Sequence, residues 1–432
     1  MRKLFVFLCV MGLIVSFSSS LRAGGIINKQ NLSADYMRTL SRHAATDYAD
    51  IAVYNPAGIM QMENGSYGKL DLLYFDKDYA NKVPGFGKLD QDEPSIIPGA
   101  FAVYKQENWA GFFAFTIPAG GGTLDYSDGS ARTVALATQI IAGANAQLAL
   151  GGLGPQFFYN QIDSMDIEVA ESSVYGFTFG ASMAINDMWS IAGGVRYSKG
   201  TRAFKGGAKM SAANPFLLVP GTNDPINARL EIKEKADGMA GILGVNFAPN
   251  DKLNTALTYV SNTPMNYKID VKKDTLGIAP AIGFADGSKT RIDIPALLGV
   301  GISYKFLPQL KVDLNYTHYF EGSAKIDTFE DEGDSWDLGI SAEYTFSPQW
   351  KASLGYLYTD IDLSDDQQIN EPEEPKLDAN TIGAGAVWSP TPAWSVTFGG
   401  AYVMYDDVED SLDIKYEKTV WNLSAGVQWK FQ

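Results

Sequence analysis

The 432-residue chain holds a single cysteine, Cys9, and two histidines, His43 and His318. One thiol excludes a disulfide framework. Two imidazoles leave little for a histidine-based metal centre or a nucleophile–histidine–acid triad, and the sequence has no phosphate-binding glycine loop. No cofactor, no metal and no catalysis are therefore expected. Basic residues are also in deficit. The 34 Lys and Arg stand against 50 Asp and Glu, a formal charge of −16, which speaks against a nucleic-acid ligand. Charged residues are scarce, at 19%, yet hydrophobic residues reach 46%, a balance that excludes disorder. Long apolar runs are missing beyond the first two dozen residues. Any membrane-spanning part must then be built of strands.

Residues 1–23 read as a secretory signal. Arg2 and Lys3 form a charged start, Leu4 to Phe17 an apolar run, and Ser18 to Ala23 a small, polar end, with cleavage expected after Ala23. The apolar run is shorter than the roughly 20 residues a membrane helix needs. Loss of this segment takes Arg2, Lys3, Arg22 and Cys9 with it. The mature chain would carry no thiol and a formal charge of −19.

From residue 66 onward the dominant pattern is alternation with a period of two. Trp336, Leu338, Ile340, Ala342, Tyr344 and Phe346 alternate with Asp337, Gly339, Ser341, Glu343 and Thr345. Leu310 to Thr317 and Trp421 to Phe431 repeat the pattern. A soluble β-sandwich also alternates, but three features favour a membrane barrel. The segments run to about 10–14 residues, against about 5–6 for average strands. Aromatics cluster at their ends, as in interfacial girdles. Short turns at Lys105–Asn108, Asn186–Asp187, Pro249–Asp251, Leu307–Gln309, Ser347–Gln349 and Ser389–Pro392 alternate with long polar loops. The reading is an all-β chain: a 14-stranded antiparallel transmembrane β-barrel over residues 65–432, with strands starting near residues 66, 95, 108, 162, 189, 228, 253, 290, 309, 334, 350, 378, 393 and 415.

Residues 24–64 do not alternate. Asn31 to Asp47 reads as partly helical, and Asn55-Pro56-Ala57-Gly58 then breaks regular structure. Ile51, Val53, Ile59, Met60 and Met62 favour packing inside the barrel over a dangling tail. The pattern Ser33-Ala34, Arg38-Thr39, Asp47, Asp50 and Tyr54-Asn55-Pro56-Ala57-Gly58 resembles the amino-terminal hatch of FadL-type outer-membrane transporters. Weaker matches follow at Trp189-Ser190, Ala256-Leu257-Thr258-Tyr259 and Ile292-Asp293-Ile294-Pro295. The resemblance covers essentially the whole mature chain. It implies a luminal hatch and passive movement of long-chain fatty acids or, in the TodX-like branch, aromatic hydrocarbons. One departure is the carboxy terminus, where Phe431 is penultimate and Gln432 last.

Pro118 lacks an N–H and is followed by Gly120, Gly121 and Gly122. Either the third strand ends here or it kinks inward, and in the resembled family a kink at this place gives a lateral exit into the membrane. Two long loops are unusually apolar. In residues 131–150, Val134, Ala137, Ile141, Ala144 and Leu148 recur at helical spacing, with Phe157 and Phe158 beyond them. The second loop carries Phe216, Leu217 and Leu218. These groups either cap the barrel by packing on each other or form a surface groove that captures an apolar ligand.

By strand parity Arg196, Arg202, Lys69, Lys311, Lys351 and Lys430 point inward. Asp71, Asp313 and Glu343 are their expected partners, and Arg196 is the candidate contact for a ligand carboxylate. His43 reads as a polar hatch contact on a helix, and His318 as an interfacial residue. The acidic runs Asp331–Asp334, Asp362–Glu374 and Asp406–Asp410 read as solvated outer loops or as divalent-cation bridges to lipopolysaccharide. The expected setting is the outer membrane of a Gram-negative bacterium. A monomer there would contact outer-membrane lipid and lipopolysaccharide and pass a hydrophobic small molecule. A general porin for polar solutes and a structural or adhesive barrel are the alternatives.

Overall fold

Each alternating segment forms a strand, because alternation lets one face meet lipid while the other turns inward. The computed structural model describes residues 30–212, 223–327, 333–362 and 372–431; the expected signal segment and Phe216, Leu217 and Leu218 lie outside them. The wall strands are β1 (Gly65–Val83), β2 (Ser95–Lys105), β3 (Trp109–Tyr126), β4 (Tyr159–Ala184), β5 (Trp189–Ala212), β6 (Ile226–Phe247) and β7 (Leu253–Val260), then β8 (Ala296–Lys305), β9 (Leu310–Phe320), β10 (Ser335–Ser347), β11 (Trp350–Ile361), β12 (Ala379–Thr391), β13 (Trp394–Tyr405) and β14 (Lys415–Phe431). Each pairs antiparallel with the next, and β14 closes on β1 from Ser66↔Phe431 to Lys82↔Lys415. The chain is a closed 14-stranded barrel with short turns on one side.

Two readings of the strands need correction. β4, β5 and β6 run to 26, 24 and 22 residues, well beyond the expected length. Their outer parts rise past the lipid-facing band, where Asn266–Asp274 pairs with β6 and Lys289–Arg291 pairs in turn with Asn266–Asp274. β8 opens at Ala296 and not near residue 290, so Ile292-Asp293-Ile294-Pro295 is a link ahead of the strand. Pro295 has no N–H to give to a ladder, which fits its place outside the wall.

The apolar face lies outside. On β1, Leu70, Leu72 and Tyr74 are exposed while Lys69, Asp71 and Leu73 are buried. Aromatic pairs band both rims: Trp350–Trp388 and Trp394–Trp429 near the short turns, Tyr316–Trp336 and Tyr402–Trp421 near the long loops.

The segment ahead of β1 packs against the inward side chains of the wall. Ser33 caps α1 (Ala34–Thr39) by accepting a hydrogen bond from the Tyr36 N–H, and Leu40 ends it in the left-handed region. α2 (Ile51–Tyr54) and a 3₁₀ turn (Pro56–Gln61) follow. His43 lies beyond α1 and not on a helix. Wall glycines make room for this backbone. A β-carbon on Gly355 would stand 2.2 Å from the Thr39 carbonyl oxygen, and one on Gly339 2.6 Å from that of Leu40.

Among the described helices α3 (Ala131–Leu150) alone is long and apolar enough to cross a membrane by length and composition. It packs instead on the outer ends of the wall. Val134 meets Val83, Leu89 and Tyr416; Ala137 and Ile140 meet Ala208, Met210 and Ala228.

Candidate functional site

The Asn55-Pro56-Ala57-Gly58 turn is tied to three wall strands. The Asn55 amide donates to the Ala45 carbonyl at 3.0 Å and to Asn246 Oδ1 on β6 at 2.9 Å, and its Oδ1 accepts from the Gly58 N–H at 3.1 Å. Ser182 of β4 donates to the Pro56 carbonyl at 2.6 Å, and Ser190 of β5 to the Ala57 carbonyl at 2.8 Å. Pro56 starts the 3₁₀ turn, where its missing N–H costs nothing. A β-carbon at position 58 would stand 2.2 Å from the Asn55 amide nitrogen, so glycine is needed there.

The opposite end of the segment is held by charge. Arg38 bonds Glu343 of β10 at 2.5 Å and Asp35 at 2.8 Å. Lys351 of β11 bridges Asp47 at 3.1 Å and Glu343 at 3.2 Å. Arg42 bonds Asp47 at 2.8 Å and Asp50 at 2.7 Å, and Lys69 reaches Asp35 at 3.2 Å as well as Asp71 beside it. Burial would raise the Asp35 carboxyl, but Lys69, Arg38 and Arg42 outweigh it and hold it at about 2. Burial pushes Asp50 up despite Arg42. Burial also holds the His43 imidazole down at about 4, with the Tyr54 carbonyl opposing only in part. His43 Nε2 lies 2.8 Å from Thr317 Oγ1 on β9.

Above this segment lies a cavity of about 160 Å³. Its floor is apolar, with Tyr36, Met37, Leu40, Phe75, Leu357 and Val403. Its rim is charged. Lys418 stacks its ammonium over the Tyr79 and Tyr405 rings at 4.8 and 4.6 Å, and Lys77 donates to the Gly121 and Thr123 carbonyls at 3.1 and 2.8 Å. Glu374 and Lys376 complete it. The cavity therefore reaches from the N-terminal segment to Gly121 on β3.

β3 does not stop at Pro118. It continues to Tyr126, and its two ladders diverge. With β2 it pairs from Lys105↔Ala110 to Ala100↔Phe115 and no further, although β2 itself continues to Ser95 along β1. With β4 it pairs on both sides of the irregular stretch, with register shifts between Thr116, Ala119 and Gly122. Thr116, Ile117, Pro118 and Ala119 are all buried, so alternation fails there. Gly120 and Gly122 adopt φ of +89° and +84°, a region closed to most side chains. Past Phe115 the wall between β2 and β3 has no described ladder bonds. The described contact there is Ser95 Oγ donating to the Gly121 carbonyl at 2.8 Å.

Arg196 of β5 stands beside this stretch. Gly176 of β4 leaves space shared by the Pro118 ring and the Arg196 side chain, whose nearest carbons lie 3.1 and 3.3 Å from where its β-carbon would be. Arg196 is buried. Its Nε has no hydrogen-bond partner among the described residues, and its described contact is Thr263 Oγ1 at 3.4 Å. The other inward cations are paired: Lys311 with Asp313 and Glu343 at 3.5 Å each, and Lys430 with Glu63 at 2.6 Å.

The family model described as outer membrane protein transport protein (OMPP1/FadL/TodX) matches residues 14–431. The chain belongs to this family. No curated protein matches the sequence. Solved structures share the fold. A Pseudomonas aeruginosa FadL homologue superposes with a TM-score of 0.67 at 14% identity, covering 95% of this chain and 100% of that one. The P. putida toluene transporter TodX gives 0.64 at 13%, covering 95% and 99%. The Ralstonia pickettii toluene transporter TbuX gives 0.58 at 15%, also covering 95% and 99%. Membership in the FadL/TodX family places the chain in the outer membrane of a Gram-negative cell.

Within this FadL/TodX-type barrel the described site residues expected from the sequence fall into three groups, the first being the Asn55–Gly58 turn against β4, β5 and β6. Arg196 stands beside Pro118, and among the glycines that follow Pro118 it is Gly121 that lines the luminal cavity. Val134, Ile141, Leu148, Phe157 and Phe158 lie apart, on or after α3. Val134 and Leu148 are buried; Ile141, Phe157 and Phe158 are half-buried. A crevice of about 30 Å³ remains between α3 and the outer ends of β5 and β6, lined by Leu136, Ile140, Phe204 and Leu276. His318 sits on β9 between aromatic neighbours, with Nε2 3.0 Å from Asp334 Oδ2.

Sequence reasoning missed the luminal rim. Glu373 and Glu374, read as part of a solvated acidic loop, are buried. Glu373 bonds Arg132 at 3.0 Å and accepts from Ser130 Oγ at 2.6 Å, which ties the loop to the start of α3. Residues 372–378 carry no periodic pattern, so the sequence held no signal for their turning inward.

Proposed function

We propose that the chain is a passive channel for hydrophobic compounds: residues 24–64 plug the lumen, and ligand leaves sideways between β2 and β3. The observation that carries this is the end of the β2–β3 ladder at Ala100↔Phe115, beside a luminal cavity that reaches Gly121. An apolar ligand that leaves through the wall passes directly into lipid. Each buried CH₂ then retains roughly 0.8 kcal/mol that an aqueous exit would forfeit. A cavity of about 160 Å³ matches the size at which an apolar protein cavity holds benzene. A longer chain would lie partly in the cavity and partly in the wall gap.

Apolar groups on α3 and the crevice beside it support capture at the outer surface. Arg196, buried beside Pro118 without a carboxylate partner among the described residues, supports contact with a ligand carboxylate. A fatty acid would use this contact and a hydrocarbon would not.

Native extraction followed by mass spectrometry of bound small molecules tests the reading. Recovery of apolar or amphiphilic molecules that are lost on filling the cavity with Leu40→Trp is expected. An empty barrel that passes sugars in liposomes with residues 24–64 intact would establish the porin reading instead.

A further inference from the structure

The outer extension of the barrel carries a row of like charges. Lys235 on β6 pairs directly with Lys268, and Lys268 with Lys289, across three adjacent strands. Directly paired residues project to the same side of a sheet. All three lysines are exposed, while Glu234, Ala236, Tyr267, Ile269 and Thr290 on the opposite parity are buried toward the lumen. The row therefore faces outward from the barrel.

Adjacent strands lie about 4.8 Å apart, inside a Debye length of about 8 Å at physiological salt, so Lys268 is repelled by both Lys235 and Lys289 with little screening. Like charges directly opposite destabilise a sheet. The nearby acids are engaged elsewhere. Asp237 lies opposite Lys199 and accepts from Tyr197 Oη at 2.5 Å; Asp270 bonds Lys272 at 2.5 Å. Lys235, Lys268 and Lys289 have no ion pair among the described residues. In a chain with a formal charge of −16, an uncompensated cationic row is against the general trend.

Its height identifies what it meets. Tyr197 and Met239, a directly paired couple, are the outermost large exposed hydrophobics on β5 and β6. Lys235 is four residues further out. At about 3.3 Å per residue and a tilt of about 40°, that is roughly 10 Å above the apolar band. This is the headgroup level of the outer leaflet. In a Gram-negative outer membrane that layer consists of phosphorylated glycolipid.

We propose that Lys235, Lys268 and Lys289 form a binding site for the phosphate groups of lipopolysaccharide. Phosphate oxygens between neighbouring ammonium groups turn the mutual repulsion of the row into attraction. The site is separate from the ligand path and does not depend on it. It places glycolipid against the flank formed by β6 and the short strands Asn266–Asp274 and Lys289–Arg291, and not at the acidic loops.

The test compares the full barrel with K235Q/K268Q/K289Q and with a control, K252Q/K305Q, that removes exposed lysines near the periplasmic turns. Each protein, in detergent, is titrated with lipid A and with dephosphorylated lipid A and read by native mass spectrometry. Lipid A affinity is expected to fall at least tenfold in the triple variant, to stay unchanged in the control, and to be weak for the dephosphorylated lipid in all three. Unfolding by heat gives a second reading. Without lipid A the triple variant is expected to melt above the parent, because repulsion is relieved; with lipid A the order reverses. Equal lipid A binding by parent and triple variant, an equal loss in the control, or equal binding of the dephosphorylated lipid would overturn the proposal.

Discussion

Arg38 Nη1 lies 2.5 Å from Glu343 Oε2, joining residues 305 positions apart across the inside of the barrel. The pair couples α1 to β10, and through Lys351 and Asp47 to β11. Removing one member of a buried pair strands the other in a poor solvent for charge, at a cost of about 3–5 kcal/mol. Lys311 and Lys351 still face Glu343, so the lower end of that range is expected for Arg38→Ala. The segment should loosen while the wall remains intact. Single-channel recording should then show frequent large openings, approaching the conductance of a deletion of residues 24–64. Closed traces from both variants would show that the segment does not plug the lumen.

A second consequence concerns acid. The folded His43 imidazole sits at about 4, below its ordinary 6.5, because burial favours the neutral ring. When the segment is released the ring regains its ordinary value and takes up a proton below pH 6.5. The His43 contribution to seating is therefore full above pH 6.5 and is lost as pH falls toward 4, about 3 kcal/mol, while Asp50, pushed up by burial, acts in the opposite sense. Asp35, held at about 2, keeps its contribution until pH falls below the usual carboxylate range. Open probability should rise between pH 6.5 and 4 in the parent and much less in His43→Asn. A flat parent profile would show that His43 does not control seating of the segment.

The proposed Arg196 contact would separate ligand classes. Arg196→Gln keeps a polar side chain in the same space and removes the charge. Uptake of a long-chain carboxylate should fall about tenfold, the effect of ~1.4 kcal/mol, with hydrocarbon uptake unchanged. Equal effects on both classes would assign Arg196 a purely structural role.

Glu373 offers a fourth test. Its carboxylate holds Arg132 and Ser130 at the start of α3. Glu373→Gln should increase proteolysis of α3 in intact cells and leave barrel insertion unchanged. Unaltered protection would show that packing alone holds the helix.

Much of the wall was legible in the sequence because its rule is local. Alternation marks each strand, and parity sends Lys69, Lys311 and Lys351 inward, where they meet Asp71, Asp313 and Glu343. The Asn55–Gly58 turn also stood out, since Asn-Pro and Gly each leave a local mark. What stayed hidden depends on closure. Gly121 adjoins Glu374, and Lys235 faces Lys268, only because the barrel brings distant segments together. Pro118 and three glycines read as a bend or, less readily, as a strand end. Pairing with β4 on both sides of the irregular stretch decides that β3 continues. The excess length of β4 to β6 was hidden too, because outside the lipid band a strand need not alternate strictly.

The proposed ligand path leaves through the wall between β2 and β3. Replacing Pro118, Gly120 and Gly122 by Thr, Val and Thr restores the one missing ladder donor, at position 118, and puts strand-forming side chains where glycines now hold positive φ. Uptake of a labelled fatty acid or hydrocarbon should be measured in cells where heat-modifiable mobility shows the variant barrel inserted. Uptake is expected to fall to the level of cells lacking the protein; uptake at the parent's rate would rule out exit between β2 and β3.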